Sequence, residues 1–529
     1  MKTLSLFIFL YLLLIVFDSF SQQIIWEKSF GGSTVDIGYS LFKNSENEIF
    51  CLGQTRSSDY DVIGLHIGTF ADDDFWLFKT DTSGNFLYQR CIGGSNSDGG
   101  RKIIRTMDGG YMLSGYASSN NGDVTGSGTV RQRDYWLAKT DSAFNIEWGK
   151  LIGGGASDIA NSIIQTSDSG FLVVGSSYNL GGYVTIHYGL STSSDIFVAK
   201  VSKNGAFLWG KTLGGSLDDI GIDVAQTNDG GYIVLGASAS NDYDLPPNPM
   251  GQIVIFKLDS IGNIEFVKTH GGTGGESVSQ IIMDEDGSFL LVGSTGSSDG
   301  DVSGFIGMID VWVMKLDSVG EMIWQKCLGS NGWEEALCAI KTNDGGYMIG
   351  ATSFWGNGII QNYSSFDDCW IVKIDSMGNY EWSKIFGGSK VDNVRSIVQV
   401  SDHEYIFTGN TESFDYDVSS CYGIPNCRED VWMVKFSDGL NRIDETKPFV
   451  KDLSAFYGNE NFIVRFIDDK KNTYDLRLYD SNGHVLYSTQ IDSNQGLNVL
   501  TFSERIHAGI YILQLSNNVQ KSEIKLLVN

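Results

Sequence analysis

The sequence predicts an all-β protein, and three observations carry that expectation. A Gly-Gly or Gly-Ser pair opens a similar pattern at Gly31, Gly93, Gly153, Gly214, Gly271, Gly329 and Gly387, about sixty residues apart, which is the mark of a repeat architecture. Each copy carries four short strand signals separated by turns rich in Asp, Asn and Gly. The fourth signal is missing after the seventh copy, while a spare one, Trp26-Glu-Lys28, stands near the beginning of the chain. A displaced strand of this kind joins the ends of a ring and removes the exposed edges that an open stack would leave. The expected architecture is therefore a seven-bladed β-propeller, four strands per blade, with the N-terminal strand closing the last blade and a small β-sandwich following it.

Taken in chain order, Lys2, the apolar run Leu4 to Phe17 and the small residues Ser19 and Ser21 read as a secretory signal peptide over 1–21, with the mature chain starting at Gln22. Asp18 ends the apolar run too early for a membrane span, and no other segment is apolar enough to be one. The repeats are expected to fill 22–445. In the fourth copy the strand signals fall at Ile220 to Gln226, Gly231 to Gly236, Ile253 to Leu258 and Ile264 to Lys268. The third signal has the full form Asp-x-Trp-x-x-Lys, as in Asp74 to Lys79 and Asp430 to Lys435. Its interior is apolar on both faces, so it needs cover on both sides, which neighbouring blades provide. The fourth signal is Trp-x-Lys, as at Trp148 to Lys150.

From 446 to 529 a different pattern begins, with strand signals at Phe462 to Phe466, Tyr474 to Tyr479, Val485 to Gln490, Leu497 to Phe502 and Gly509 to Leu515. This spacing suits a compact β-sandwich.

Two resemblances follow from these residues. The Gly-Gly-Ser, Asp-Gly-Gly-Tyr and Asp-x-Trp-x-x-Lys units from Trp26 to Lys435 are similar to a family of secreted bacterial repeat proteins defined by pattern and not by activity. The segments Leu478 to Leu486, Ala508 to Leu515 and Ser522 to Asn529 resemble the C-terminal sorting domain of the type IX (Por) secretion system. That resemblance implies passage through the periplasm and across the outer membrane by the type IX machinery, followed by release or anchoring to surface lipopolysaccharide.

Sixty-four Asp and Glu against 37 Lys and Arg give a formal charge of −27, and the basic residues are scattered, which speaks against nucleic acid as a partner. Seven cysteines without a Cys-x-x-Cys pair offer neither a zinc site nor a thiol redox motif. Cys421 and Cys427 flank a short loop and could close it as a disulfide, while Cys51, Cys91, Cys327, Cys338 and Cys369 lie in strand-like runs as small buried hydrophobes.

An acid falls five positions after the first glycine of every repeat: Asp36, Asp98, Asp158, Asp219, Glu276, Glu334 and Asp392. Such a ring could collect a hard cation. The better reading is structural: each carboxylate accepts backbone N–H bonds in its own turn or pairs with the repeated lysines from Lys79 to Lys435. The loops between second and third strands carry Asp59 and Asp61, Asp299 and Asp301, and Asp415 and Asp417, candidates for calcium (Ca2+), although turn chemistry explains them too. The same loops hold Tyr60, Tyr183, Tyr243, Trp355 and Tyr416, which could stack on sugar rings. No catalytic constellation is found: the six histidines are scattered and no Gly-x-Ser-x-Gly elbow occurs. The function expected is a secreted or cell-surface binding protein for a polysaccharide or surface protein, with a glycan-active enzyme and a purely structural protein as alternatives.

Overall fold

A computed structural model describes residues 23–528 except 67–72, 126–131, 248–251, 356–359, 361–365, 424–427, 439–450, 459–460, 469–470, 481–483, 504–508 and 517–520. The expected signal peptide and Cys427 lie outside the described residues. The chain divides into two compact units, Met1–Gly439 and Leu440–Asn529; the expected boundary at 445/446 also falls outside the described residues.

The first unit consists of seven four-stranded antiparallel sheets. The first contains Asp36–Lys43, Glu48–Thr55, Asp74–Asp81 and Phe86–Ile92, and the next five repeat this order. The seventh is built from Asp392–Ser401, Glu404–Thr411 and Asp430–Ser437, and its outermost strand is Gln23–Phe30 from the beginning of the chain. The inner strand of each blade contacts the inner strand of the next, and Asp392–Ser401 returns to Asp36–Lys43. The contacts form a closed cycle of seven: a β-propeller.

The third strands are buried along their length, as their two-sided apolar sequence requires. Trp76, Trp136, Trp312, Trp370 and Trp432 are among the largest fully buried side chains. The outer-strand tryptophans do a different job. Trp26, Trp148, Trp209 and Trp324 each lie against a glycine in the turn of the next blade, at Gly84, Gly205, Gly262 and Gly378. Those glycines have φ between +73° and +89°, and a Cβ on any of them would meet the indole at 2.7–3.1 Å. Glycine is required there for space and for backbone conformation together. Cys51, Cys91, Cys338 and Cys369 are buried and free, Cys327 is half-buried and free, and Cys421 is disulfide-bonded.

Each inner strand carries a β-bulge at the same position, leaving one residue out of register: Tyr39, Arg101, Asn161, Ile222, Ser279, Leu337 and Arg395. All seven are half-buried, each following a buried residue, as befits residues bordering a central channel. The residue after the bulge serves the adjacent blade, whose free inner edge needs acceptors. Leu41 N–H donates to Ser396 Oγ at 3.0 Å, Ile103 N–H to Ser40 Oγ at 3.3 Å and Ala339 N–H to Gln280 Oε1 at 2.8 Å.

The second unit has a three-stranded sheet, Lys451–Gly458, Asn461–Asp468 and Gly496–Ser503, and a four-stranded sheet ordered Val485–Asp492, Thr473–Asp480, Gly509–Ser516, Lys521–Val528. Phe462, Val464 and Phe466 from the first sheet share one core with Leu476, Leu478, Leu513 and Leu515 from the second, the arrangement of a β-sandwich.

Closure is held by packing as well as pairing. Phe30 of the N-terminal strand is buried and lies 5.2 Å from Phe78 of the first blade. Trp26 Nε1–H donates to Thr82 O at 3.0 Å and Lys28 Nζ to Gly84 O at 2.7 Å. Phe30→Ala is expected to cost about 3–5 kcal/mol in urea unfolding; a loss below about 1 kcal/mol would mean that this strand does not clamp the ring.

Candidate functional site: the loop face of the ring

Antiparallel order puts the links from second to third strand, and from outer strand to the next blade, at one end of every blade. The Gly-Gly-Ser segments, the head of each inner strand and the long variable loops therefore share a face.

At this face the repeated acid is a structural clasp. Asp36, Asp98, Asp158, Asp219 and Asp392 each accept the N–H of the glycine four residues earlier at 2.6–2.7 Å, and Glu334 accepts Ser330 N–H at 3.0 Å. Hydroxyls from the end of the second strand complete the clasp: Thr55 and Ser57 on Asp36, Ser238 and Ser240 on Asp219, Thr411 and Ser413 on Asp392. A second buried acid, the Asp that opens the third strand, stands beside it. A Cβ at Gly93 would lie 2.3 Å from Asp74 Oδ1 and 3.0 Å from Asp98 Oδ2, and Gly153 is enclosed in the same way by Asp134 and Asp158. The opening glycine is thus fixed by two carboxylates.

The lysines are not partners of this ring, contrary to one branch of the sequence reading. They sit at the opposite end of the blade. Lys139 reaches Asp108 and Glu147 at 3.0 and 2.9 Å, Lys200 reaches Asp168 at 2.8 Å, and Lys373 reaches Asp344 and Glu381 at 2.9 Å each. A cleft of about 610 Å³ at that end includes Trp148, Lys139 and Glu147, and Lys139 there is already paired with Asp108 and Glu147.

The six acids considered for calcium are taken up by backbone. Asp59, Asp299 and Asp415 accept the N–H of Ser33, Thr273 and Ser389 at 2.7–2.8 Å. Asp61, Asp301 and Asp417 meet the N–H of Gly31, Gly271 and Gly387 at 3.3–3.4 Å. The next residue, Val62, Val302 or Val418, is buried and pins the loop. Among the described residues no group of three or more His, Cys, Asp or Glu side chains is placed to hold a metal ion.

At the position that separates these two acids, and at its equivalents in the second and third blades, the backbone turns left-handed. The position is glycine in three repeats, Gly122, Gly182 and Gly300, with φ of 67°, 49° and 67°. In three others it is tyrosine: Tyr60, Tyr243 and Tyr416, with φ of 54°, 56° and 53°. The left-handed region costs a side chain about 1–2 kcal/mol, and an aromatic there is a marked outlier. Phe144, also left-handed at φ 64°, is buried against Tyr111 at 4.7 Å, so packing offsets its strain. The three tyrosines are not offset by burial, being 66, 66 and 85 % exposed. Trp355, at φ 53° and 60 % exposed, stands earlier in the sixth loop and stacks on Phe354 at 4.9 Å.

Two of the tyrosines belong to matching pairs across blade junctions. Tyr60 of the first blade lies 5.0 Å from Tyr422 of the seventh, whose hydroxyl donates to Asp61 Oδ2 at 2.7 Å. Tyr243 of the fourth blade lies 4.7 Å from Tyr188 of the third, whose hydroxyl stands near the Asp244 carboxylate. Tyr422 and the left-handed geometry were missed from sequence, whereas Tyr188 and Asp244 stand among the aromatics and paired acids that the loops offered. Tyr183 differs from the other expected residues: it is half-buried, with Lys150 Nζ on its hydroxyl at 2.6 Å and Phe207 at 4.5 Å.

Residues 458–529 match the family model described as the secretion system C-terminal sorting domain. This segment is a Por secretion system sorting domain. The protein is thereby cargo of the type IX secretion machinery, directed to the cell surface or beyond. No helix among the described residues is long and apolar enough to cross a membrane. No curated protein matches the chain. Solved structures similar to it include a luciferin-regenerating enzyme (11 % identity, 77 % of this chain and 94 % of that one, TM-score 0.33). Another is BBS1N in complex with ARL6DN (7 %, 78 % and 96 %, TM-score 0.40). A puromycin hydrolase also matches (11 %, 82 % and 59 %, TM-score 0.44).

The clasp makes stability pH-dependent with a definite sign. Burial pushes Asp36, Asp98 and Asp392 up to about 6 and Asp158 up to about 7, against the pull of their hydrogen bonds. A raised folded-state value means that the folded chain holds more protons than the unfolded one between about pH 4 and pH 7, so stability falls as pH rises through that window. At the other end of the blade, Asp229 is held down at about 2 by Thr227, Gly231 N–H and Lys257, and its contribution is lost only in stronger acid. The urea midpoint is expected to be higher at pH 5 than at pH 8; a midpoint that rises toward pH 8 would contradict the burial of these acids.

Proposed function

We propose that the repeat unit is an exported binding module whose loop face holds a neutral polysaccharide against the tyrosines at its loop tips, and that it acts by binding, without catalysis. The observation that carries this reading is the alternation of glycine and exposed tyrosine at one left-handed position. Folding favours glycine there, and three repeats have it. Tyrosine in the other three is strained and largely exposed, the pattern expected where strain is kept for function. Exposed phenol rings offer flat faces for sugar C–H groups, and the neighbouring Asp61 and Asp244 offer hydroxyl acceptors. The formal charge of −27 favours neutral over acidic glycans at this open surface.

Binding of the purified chain to a panel of neutral polysaccharides tests the reading. Tyr60→Gly, Tyr243→Gly and Tyr416→Gly are expected to leave stability unchanged or raise it by up to about 1 kcal/mol each, while the combined variant loses at least tenfold in affinity. If the tyrosines served the fold, stability would drop instead; an unchanged affinity would exclude them as the contact surface.

A further inference from the structure

Three arginines and two tyrosines form an alternating row that starts at the inner strands beside the channel and continues into the second blade, and that neither the clasp nor the loop tips use. Tyr39 and Arg101 are bulge residues of the first and second blades, and Arg395 is that of the seventh. The guanidinium carbon of Arg395 lies 5.3 Å from the Tyr39 ring, and that of Arg101 lies 4.0 Å from the same ring and 5.7 Å from Tyr116. Arg133 follows at 4.4 Å from Tyr116. Stacking on a ring face engages the flat side of a guanidinium and leaves its in-plane N–H groups for acceptors.

Those acceptors are missing. Arg101 Nη1 and Arg395 Nε hydrogen-bond to nothing among the described residues, and because both atoms are buried it is the remaining N–H groups of each fork that a ligand would meet. Among the same residues no carboxylate is within ion-pair distance of Arg101, Arg133 or Arg395. Of the nearby acids, Asp73 is bound by Arg56 Nε at 2.6 Å and by Ser97 Oγ at 2.8 Å, while Glu429, with Asn410 Nδ2 at 3.5 Å, feels the charge of Arg395 without coming within ion-pair distance. A chain with 27 more acids than bases therefore keeps three unpaired arginines together in this row. A buried charged donor without an acceptor is costly, and a planar fork of donors fits an oxyanion in two-pronged fashion.

We infer that the channel between the seventh, first and second blades is a binding site for an oxyanion group, a carboxylate or phosphate, gripped by Arg101 and Arg395 beside Tyr39. This site is separate from the neutral-glycan surface at the loop tips, and its ligand is small enough to enter the ring.

Isothermal titration of the full chain at low ionic strength, with inorganic phosphate and with glucuronate as probes and glucose as control, tests it. Saturable binding of one equivalent per chain is expected for at least one probe and none for glucose. Phosphate alone would point to a phosphorylated ligand, glucuronate alone to a carboxylated one. Arg101→Gln and Arg395→Gln, on different blades, should each weaken binding at least tenfold, and Arg101→Lys, which keeps the charge without the fork, at least threefold. Tyr243→Gly should leave it unchanged, so failure here is distinguishable from failure of the glycan reading. Absence of saturable binding to the folded wild-type chain, or binding that survives both glutamine substitutions, overturns the inference.

Discussion

The carboxylate at the head of each inner strand ties together three pieces of chain that would otherwise diverge: the glycine turn entering the blade, the inner strand itself and the end of the second strand. In the first blade, Asp36 does this with Gly32 N–H, Thr55 and Ser57. Charge is poorly tolerated in such a place, and burial raises the proton affinity of these groups. The arrangement persists because the carboxylate is met by several donors, Gly32 N–H and Ser57 on Oδ2 and Thr55 on Oδ1, as buried polar groups require. With the turn and the second strand locked, the loop that follows begins from a fixed platform, and its own acids, Asp59 and Asp61, are positioned to hold Ser33 and Gly31. Tyr60 sits between them, and its left-handed conformation follows from the two acids being fixed on either side.

The same economy shapes the interior of the ring. A flat inner strand would leave its edge N–H groups facing the channel without partners. The bulge in every inner strand bends it and turns one side chain out of register, and the residue that follows supplies an acceptor to the next blade. Leu41 receives its acceptor from Ser396, so the first and seventh blades are joined on the inside as the N-terminal strand joins them on the outside. Closure is therefore enforced at both rims.

Much of this was legible in the sequence, for a physical reason. A repeat imposes the same packing problem seven times, so the burial pattern of the third strand and the displaced Trp26 are visible as pattern. The fourth blade's strands, expected from Ile220, Gly231, Ile253 and Ile264, begin at Asp219, Tyr232, Gln252 and Ile264. In the second unit the strand Lys451–Gly458 was not singled out, and Lys521–Val528 figured only within the sorting-domain resemblance and not as a strand signal. What spacing does not convey is which end of a strand meets which neighbour: the lysines recur in step with the clasp acids but occupy the opposite end. The bulge ring left no trace in residue type, because Tyr, Arg, Asn, Ile, Ser and Leu all fill a position defined only by register. The loop tips were identified as aromatic, but their strain was not. The signal was present in Tyr60, Tyr243 and Tyr416 standing in the column of Gly122, Gly182 and Gly300.

Magnitudes explain how the ring tolerates such features. A buried tryptophan removes some 150–250 Å² from water, which at about 25 cal/mol per Å² is roughly 4–6 kcal/mol before entropy is deducted. Five of the third strands carry one, whereas a left-handed tyrosine costs only about 1–2 kcal/mol. A single blade could not bear several strained tips and buried acids, since each blade's faces are covered only by its neighbours. Seven blades closed on themselves can, because no edge is left from which a destabilised loop could begin to unzip the sheet. The fold thus separates the two demands: the third strands supply stability where sequence must repeat, and the loop tips and the channel are where it is free to differ.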